Sequence, residues 1–226
     1  MFPGFLAIIL RKVIGRPAII SLVAIAFASG APPASPHKTF PVPQSSDGSA
    51  RPAVSHDAWL WAPGTEIKVF FIKGHFSAPE QLVLREVVHD WSTIARELQT
   101  GVSFSYAGET KEIVVSKGIL TLMRSDLRGT KPRIWAYFQP RLLTPKGLLT
   151  SAVIYLEYQI QKLNVLVSFT SHEMGHGFGL GDCPDCQQTM MRYARDQQHP
   201  NGFYWPTSSD KTLIKARYAR ISSGDD

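Results

Sequence analysis

The sequence predicts an α+β domain, a twisted mixed sheet with helices packed on it. Three observations carry this. Several short β-prone runs lie between Thr65 and Tyr158. One long apolar segment of helical character, from about Lys162 to Phe178, follows all of them. An amphipathic helix early in the chain and another near its end supply further packing layers.

The elements follow in order. Trp59-Leu60-Trp61 begins the folded part. Thr65–Ile72 (TEIKVFFI) reads as a strand ending at Gly74. Pro79 opens a helix running to about Gln99. Its Leu84, Val87, Val88, Trp91, Ile94 and Leu98 recur at spacings of three and four and make one buried stripe. Gly101 is the expected stop. Val102–Tyr106 and Glu112–Ser116 read as short strands, as do Arg133–Phe138 and Ala152–Tyr158, with a turn around Pro140–Gly147. A last helix fits Asp210–Ala219, capped by Ser208 or Ser209, with Leu213, Ile214 and Tyr218 facing inward.

Composition bounds the function classes. The chain has 226 residues, 44% hydrophobic and 19% charged, which is globular rather than disordered or fibrous. Its formal charge is +6, and Arg11, Lys12 and Arg16 supply half of it with no acidic residue before Gly30. The remaining charges are interspersed. No basic stripe with interleaved aromatics exists, so no nucleic-acid partner is expected.

Basic residues, an apolar run from Ala18 to Ala28, then Ser29-Gly30 make the order of a secretory signal peptide over residues 1–30. The run is short for a membrane span, which needs about 20 residues. A retained anchor and a buried N-terminal helix are the alternatives. Residues 31–58 are rich in Pro and Ser and read as a linker or short propeptide, leaving residues 59–226 as the functional domain. A secreted or extracytoplasmic monomer is expected, without stable membrane association once the leader is removed. Cys183 and Cys186 are the only cysteines, and a local disulfide suits an exported chain. A redox dithiol lacks the flanking strand and helix, and a zinc knuckle lacks further ligands.

One segment carries chemistry: Ser171-His172-Glu173-Met174-Gly175-His176-Gly177-Phe178-Gly179-Leu180-Gly181-Asp182. Two histidines four apart on a helix share a face, one turn apart, and can bind one metal ion. Glu173 sits beside them, able to hold a water and take its proton without ligating. Gly179 can break the helix, so that the chain turns back and brings Asp182 to the same metal. Two imidazoles and a carboxylate leave a fourth position open, as a catalytic zinc site requires. Gly175 and Gly177 cost helix stability and leave room for close backbone approach and for a substrate. Two histidines that only satisfy hydrogen bonds in a core, or a closed structural zinc site, are the bland alternatives.

This segment resembles the metzincin metallopeptidase signature, HExxHxxGxx followed by His or Asp. It is similar to the matrixin branch, and in its Asp third ligand to snapalysin-type peptidases. The resemblance implies a metzincin-like catalytic domain, with a long active-site helix and a C-terminal helix. It implies one catalytic zinc ion on His172, His176 and Asp182, with Glu173 as general base for a metal-activated water. Met190, or Met191, stands where the family has its Met-turn. Tyr193 stands where some members place a tyrosine near zinc, as an oxyanion or pocket residue; packing under the sheet is its alternative. Asp182 departs from the usual matrixin histidine, and the adjacent Cys183 and Cys186 would brace the loop to Met190.

The implied activity is zinc-dependent endopeptidase hydrolysis of a peptide or protein substrate. Ala152–Glu157 is expected at the cleft rim, pairing with the substrate backbone. The alternatives are an inactive zinc-binding module and a metal-dependent hydrolase of a non-peptide ester or amide.

Overall fold

The computed structural model describes residues 59–128, 134–182, 189–191 and 204–223. These all fall in the unit Thr39–Asp226. The expected leader (1–30), the linker (31–58), Cys183, Cys186 and Tyr193 lie outside the described residues.

Eight elements follow one another: β1 (Glu66–Ile72), α1 (Ala78–Glu97), β2 (Ser103–Thr110), β3 (Ile119–Ser125), β4 (Ala136–Leu143), β5 (Leu149–Glu157), α2 (Leu163–His176) and α3 (Ser208–Ser223). The strands form one sheet in the order β2-β1-β3-β5-β4. Every neighbouring pair is parallel except β4 with β5. This is the mixed α+β, metzincin-like architecture expected from the sequence.

α1 starts where local chemistry says it should. The Ser77 backbone N–H donates to Glu80 at 2.7 Å, closing a capping box, and a proline occupies the first turn. Leu84, Val87, Val88, Trp91 and Ile94 are buried as the spacing predicts, and Leu98 is the C-cap. Gln99, not only Gly101, takes the left-handed turn, with φ at 55°. Together with β1 and α2, α1 encloses the main core on one face of the sheet.

Three strand expectations need correction. Glu112–Ser116 is not a strand; the third strand is Ile119–Ser125, seven residues all buried. A parallel strand covered on both faces lacks the alternation that marks a half-exposed one. Its Thr121, Arg124 and Ser125 also disguise it as polar. Arg124 is compensated by an ion pair with Glu80 and by bonds to the carbonyls of Glu157 (2.7 Å) and Ile160 (3.2 Å). The chain enters β3 through Gly118, whose added Cβ would stand 2.8 Å from the Glu66 carbonyl.

Second, β4 runs through Pro140 to Leu143, so the turn is confined to the residues just after it. Proline is tolerated there because an edge strand needs no N–H on its open side. Third, Ala152–Glu157 does not form a rim. β5 is fully buried between β3 and β4, and β4 is the edge strand instead.

At the C-terminus, Thr207 rather than Ser208 or Ser209 caps α3. Its backbone N–H donates to Asp210 (2.9 Å) and its hydroxyl accepts from the Asp210 N–H (3.3 Å). Ile214 and Tyr218 face inward, but Leu213 is 43% exposed. Among the described residues, no helix is long and apolar enough to cross a membrane.

Candidate metal centre

α2 carries His172, Glu173 and His176 and ends at His176, two residues before the expected Phe178. Its end is closed by two backbone bonds. The Leu180 N–H donates to the Gly175 carbonyl and the Gly179 N–H to that of His176, both at 3.1 Å. Gly179 has φ +78°, the left-handed conformation that this closure requires. The chain then doubles back toward the histidines.

The glycines do not make room for a substrate, as the sequence suggested. A Cβ on Gly175 would stand 2.8 Å from the Met191 sulfur. One on Gly177 would overlap the Trp61 indole, and one on Gly179 would meet Leu60 and Arg217. These positions are small because the protein's own side chains lie against the helix. The Trp61 N–H also donates to the Gly177 carbonyl (3.0 Å), and the Trp91 indole N–H donates to Ser171 (3.0 Å).

The two imidazoles are oriented from behind. His172 Nδ1 lies 3.2 Å from the Met190 carbonyl and His176 Nδ1 lies 2.8 Å from the Leu180 carbonyl. Carbonyls only accept, so both Nδ1 atoms are the donors. In the neutral rings each Nε2 then carries a lone pair. These Nε2 atoms stand 3.0 Å (His172) and 3.6 Å (His176) from one Asp182 oxygen. Glu173 reaches within 3.9 Å of the His176 Nε2, and donor atoms of His172, Glu173 and His176 all lie within 4.8 Å of one another.

A zinc ion fits this donor set. Zinc–ligand bonds of about 2.0–2.2 Å in a tetrahedron place neighbouring ligand atoms about 3.3 Å apart. The two distances to Asp182 bracket that value. The carbonyls on the Nδ1 atoms are the usual outer partners of metal-binding histidines.

Electrostatics follow from burial. Removal from water pushes the Glu173 carboxyl up to about 7, against the opposing pull of the His172 ring; Asp182 adds to the rise, and the Phe138 backbone N–H lowers it by donating to the carboxylate. Burial alone would lower the His172 pKa. The hydrogen bond from Asp182 and the charges of Glu173 and Asp182 outweigh it, and the net shift is upward.

The structure thus brings His172, Glu173, His176, Asp182, Met190 and Met191 together. The methionines divide the work: Met190 contributes its carbonyl to His172, and Met191 lays its sulfur against Gly175. Both are buried.

Sequence reasoning missed Asp210 and Phe138. The buried Asp210 carboxylate accepts from the Thr189 hydroxyl, the Met190 N–H (3.0 Å) and the Thr207 N–H (2.9 Å). It ties the methionine turn to the start of α3. The Thr-x-x-Asp pattern at 207–210 was its sequence signal, read only as part of a helix start. Phe138 had none, because an N–H on an edge strand is not a residue-type property.

No protein-family model and no curated protein matches the chain. Three solved structures resemble it. The archaemetzincin of Methanopyrus kandleri is 17% identical with a TM-score of 0.45, over 71% of this chain and 99% of that one. A zinc-dependent peptidase from Methanocorpusculum labreanum is 16% identical with a TM-score of 0.41, over 66% of this chain and 99% of that one. Myroilysin is 15% identical with a TM-score of 0.45, over 74% of this chain and 84% of that one.

Proposed function

We propose that this protein is a zinc-dependent endopeptidase. The observation that carries the reading is the convergence of both histidine Nε2 atoms on one Asp182 oxygen, with buried Glu173 beside them. His172, His176 and Asp182 would hold the ion, completing the matrixin-like signature with an Asp third ligand. Bound there, zinc supplies Lewis acidity that lowers the pKa of a water toward neutrality and polarises the scissile carbonyl.

The chain's own groups do the rest. Glu173 takes the proton of the attacking water and delivers it to the leaving amine. Its carboxyl, pushed up to about 7, suits both directions of transfer near neutral pH. The Phe138 N–H holds that carboxylate beside β4. The other edge of β4 belongs to β5, so its open edge is where an extended substrate would add as a further strand. This role replaces the one expected of Ala152–Glu157. The Met190 and Leu180 carbonyls keep both imidazoles in the metal-binding tautomer. The order of residues 1–30 supports export of the peptidase.

Glu173→Ala tests the reading. The variant is expected to retain zinc by metal analysis and to cleave casein about 10²–10⁴-fold more slowly, the usual contribution of a general base. Zinc retained with casein cleaved at the wild-type rate would refute the mechanism. Zinc bound by the wild type with no peptide release would favour an inactive module, and turnover confined to esters or small amides the non-peptide hydrolase.

A further inference from the structure

The sheet has a second buried face, away from the histidines. Ala152, Ile154 and Leu156 of β5 pack into the main core with α2, whereas Val153 and Tyr155 point the other way. They join Ile72, Met123 and Leu127 there, with Ile113 and Ile134 packed against them.

Polar groups interrupt this apolar face at one place. Thr121, Val153 and Gln139 lie in one row across β3, β5 and β4. Ser151 is two residues from Val153 on the same side of β5. Thr121 Oγ1, Gln139 Oε1, Ser151 Oγ and Arg141 Nε are all buried and make no hydrogen bond. The only side-chain bond of Arg141 among the described residues is to the Tyr155 hydroxyl, at 2.5 Å. No described carboxylate lies within ion-pairing distance of it.

Burial pushes the Tyr155 phenol up despite the opposing charge of Arg141. It therefore stays neutral and cannot balance the guanidinium. An uncompensated charge held away from water is expensive, and so is each unpaired polar atom. Water can satisfy two hydroxyls and an amide, but it leaves the charge unbalanced. Arg141, Ser151 and Thr121 all offer donors, and Gln139 can turn its amide to do the same. A set of donors around a cation matches an oxyanion with several acceptor lone pairs.

We infer that this pocket, formed by Arg141, Gln139, Ser151, Thr121 and Tyr155, binds a carboxylate-class oxyanion on the sheet face opposite the histidines. The site is independent of the proposed peptidase activity. The anion comes either from solution or from an acidic side chain of this chain outside the described residues.

Thermal unfolding of the full chain, with phosphate or acetate against chloride at equal ionic strength, tests it. Direct calorimetry with inorganic phosphate needs no variant. Saturating phosphate is expected to raise the wild-type Tm by roughly 5 °C. Arg141→Met is expected to abolish the rise, and Arg141→Lys to keep part of it. If the chain supplies the carboxylate, the wild type is insensitive to added anion. Neutralising one of Asp47, Asp57, Asp185, Asp196, Asp225 or Asp226 to Asn then lowers the Tm and creates the phosphate response. The inference is overturned if no form responds to phosphate and Arg141→Met is as stable as the wild type, which would leave a pocket that holds only water.

Discussion

α1 and α2 pack against each other, yet they are specified in opposite ways. α1 begins with a capping box and a proline, has no internal glycine, and shows a clear apolar stripe. α2 has Lys162 at its N-cap with no side-chain bond, carries Gly175 in its last turn, and is buried over most of its surface. By local propensity α1 is a helix and α2 a poor one. What holds α2 comes from outside it: the Trp91 bond to Ser171, Trp61 under Gly177, and Met191 against Gly175. The helix that bears the chemistry is the one whose shape depends on its neighbours.

The comparison can be broken or sharpened at four points. The largest effect is expected from the metal. With zinc at about 1,000 times its Kd, the folded state gains roughly 4 kcal/mol, which a chelator removes. His176→Ala should make the Tm insensitive to chelation, whereas an exposed α1 variant such as Leu82→Ala should leave the shift intact.

Next is Asp210→Ala, which strips an acceptor from the Thr189 hydroxyl and the Met190 and Thr207 amides. A loss of about 2–3 kcal/mol in denaturant unfolding is expected. It should be accompanied by weaker zinc binding, because the Met190 carbonyl that orients His172 is released. Wild-type zinc affinity in this variant would show that the methionine turn is held by packing alone.

Gly177→Ala should cost about 1–3 kcal/mol. The Cβ overlaps the Trp61 indole, and this outweighs the gain in helix propensity of about 1 kcal/mol. A more stable Gly177→Ala would mean that α2 is governed by propensity after all. The smallest effect, with the opposite sign, belongs to Gln99→Gly at the end of α1. Relieving φ 55° there should stabilise the protein by up to about 1 kcal/mol. Equilibrium unfolding of the variant against wild type decides it.

How much was legible beforehand follows the same division. The α1 stripe and the strands β1 and β5 were readable because their burial follows a local period or an unbroken apolar run. β3 was misplaced because its burial on both faces erases alternation and admits Arg124, whose partners are 44 and more than 30 residues away. Leu213 was placed inside on residue type alone, though α3 turns it outward. Within the site, His172, Glu173, His176, Gly179 and Asp182 were legible because helix spacing and a glycine turn are local. The roles of Phe138 and Asp210 were not, since each acts through a contact made far along the chain.

By itself, then, the sequence determined the α+β class, the helix bearing two histidines and a glutamate, and the turn that returns Asp182 to them. These depend on spacings of three to ten residues, which backbone geometry converts directly into position. Only the tertiary structure decided that β4, and not β5, is the open edge. It also decided that the helix glycines serve Trp61 and Met191, and that Arg141 is buried without a counter-charge. Strand order and side-chain contact across the sheet are set by which distant segments pack together, and no local periodicity encodes that choice.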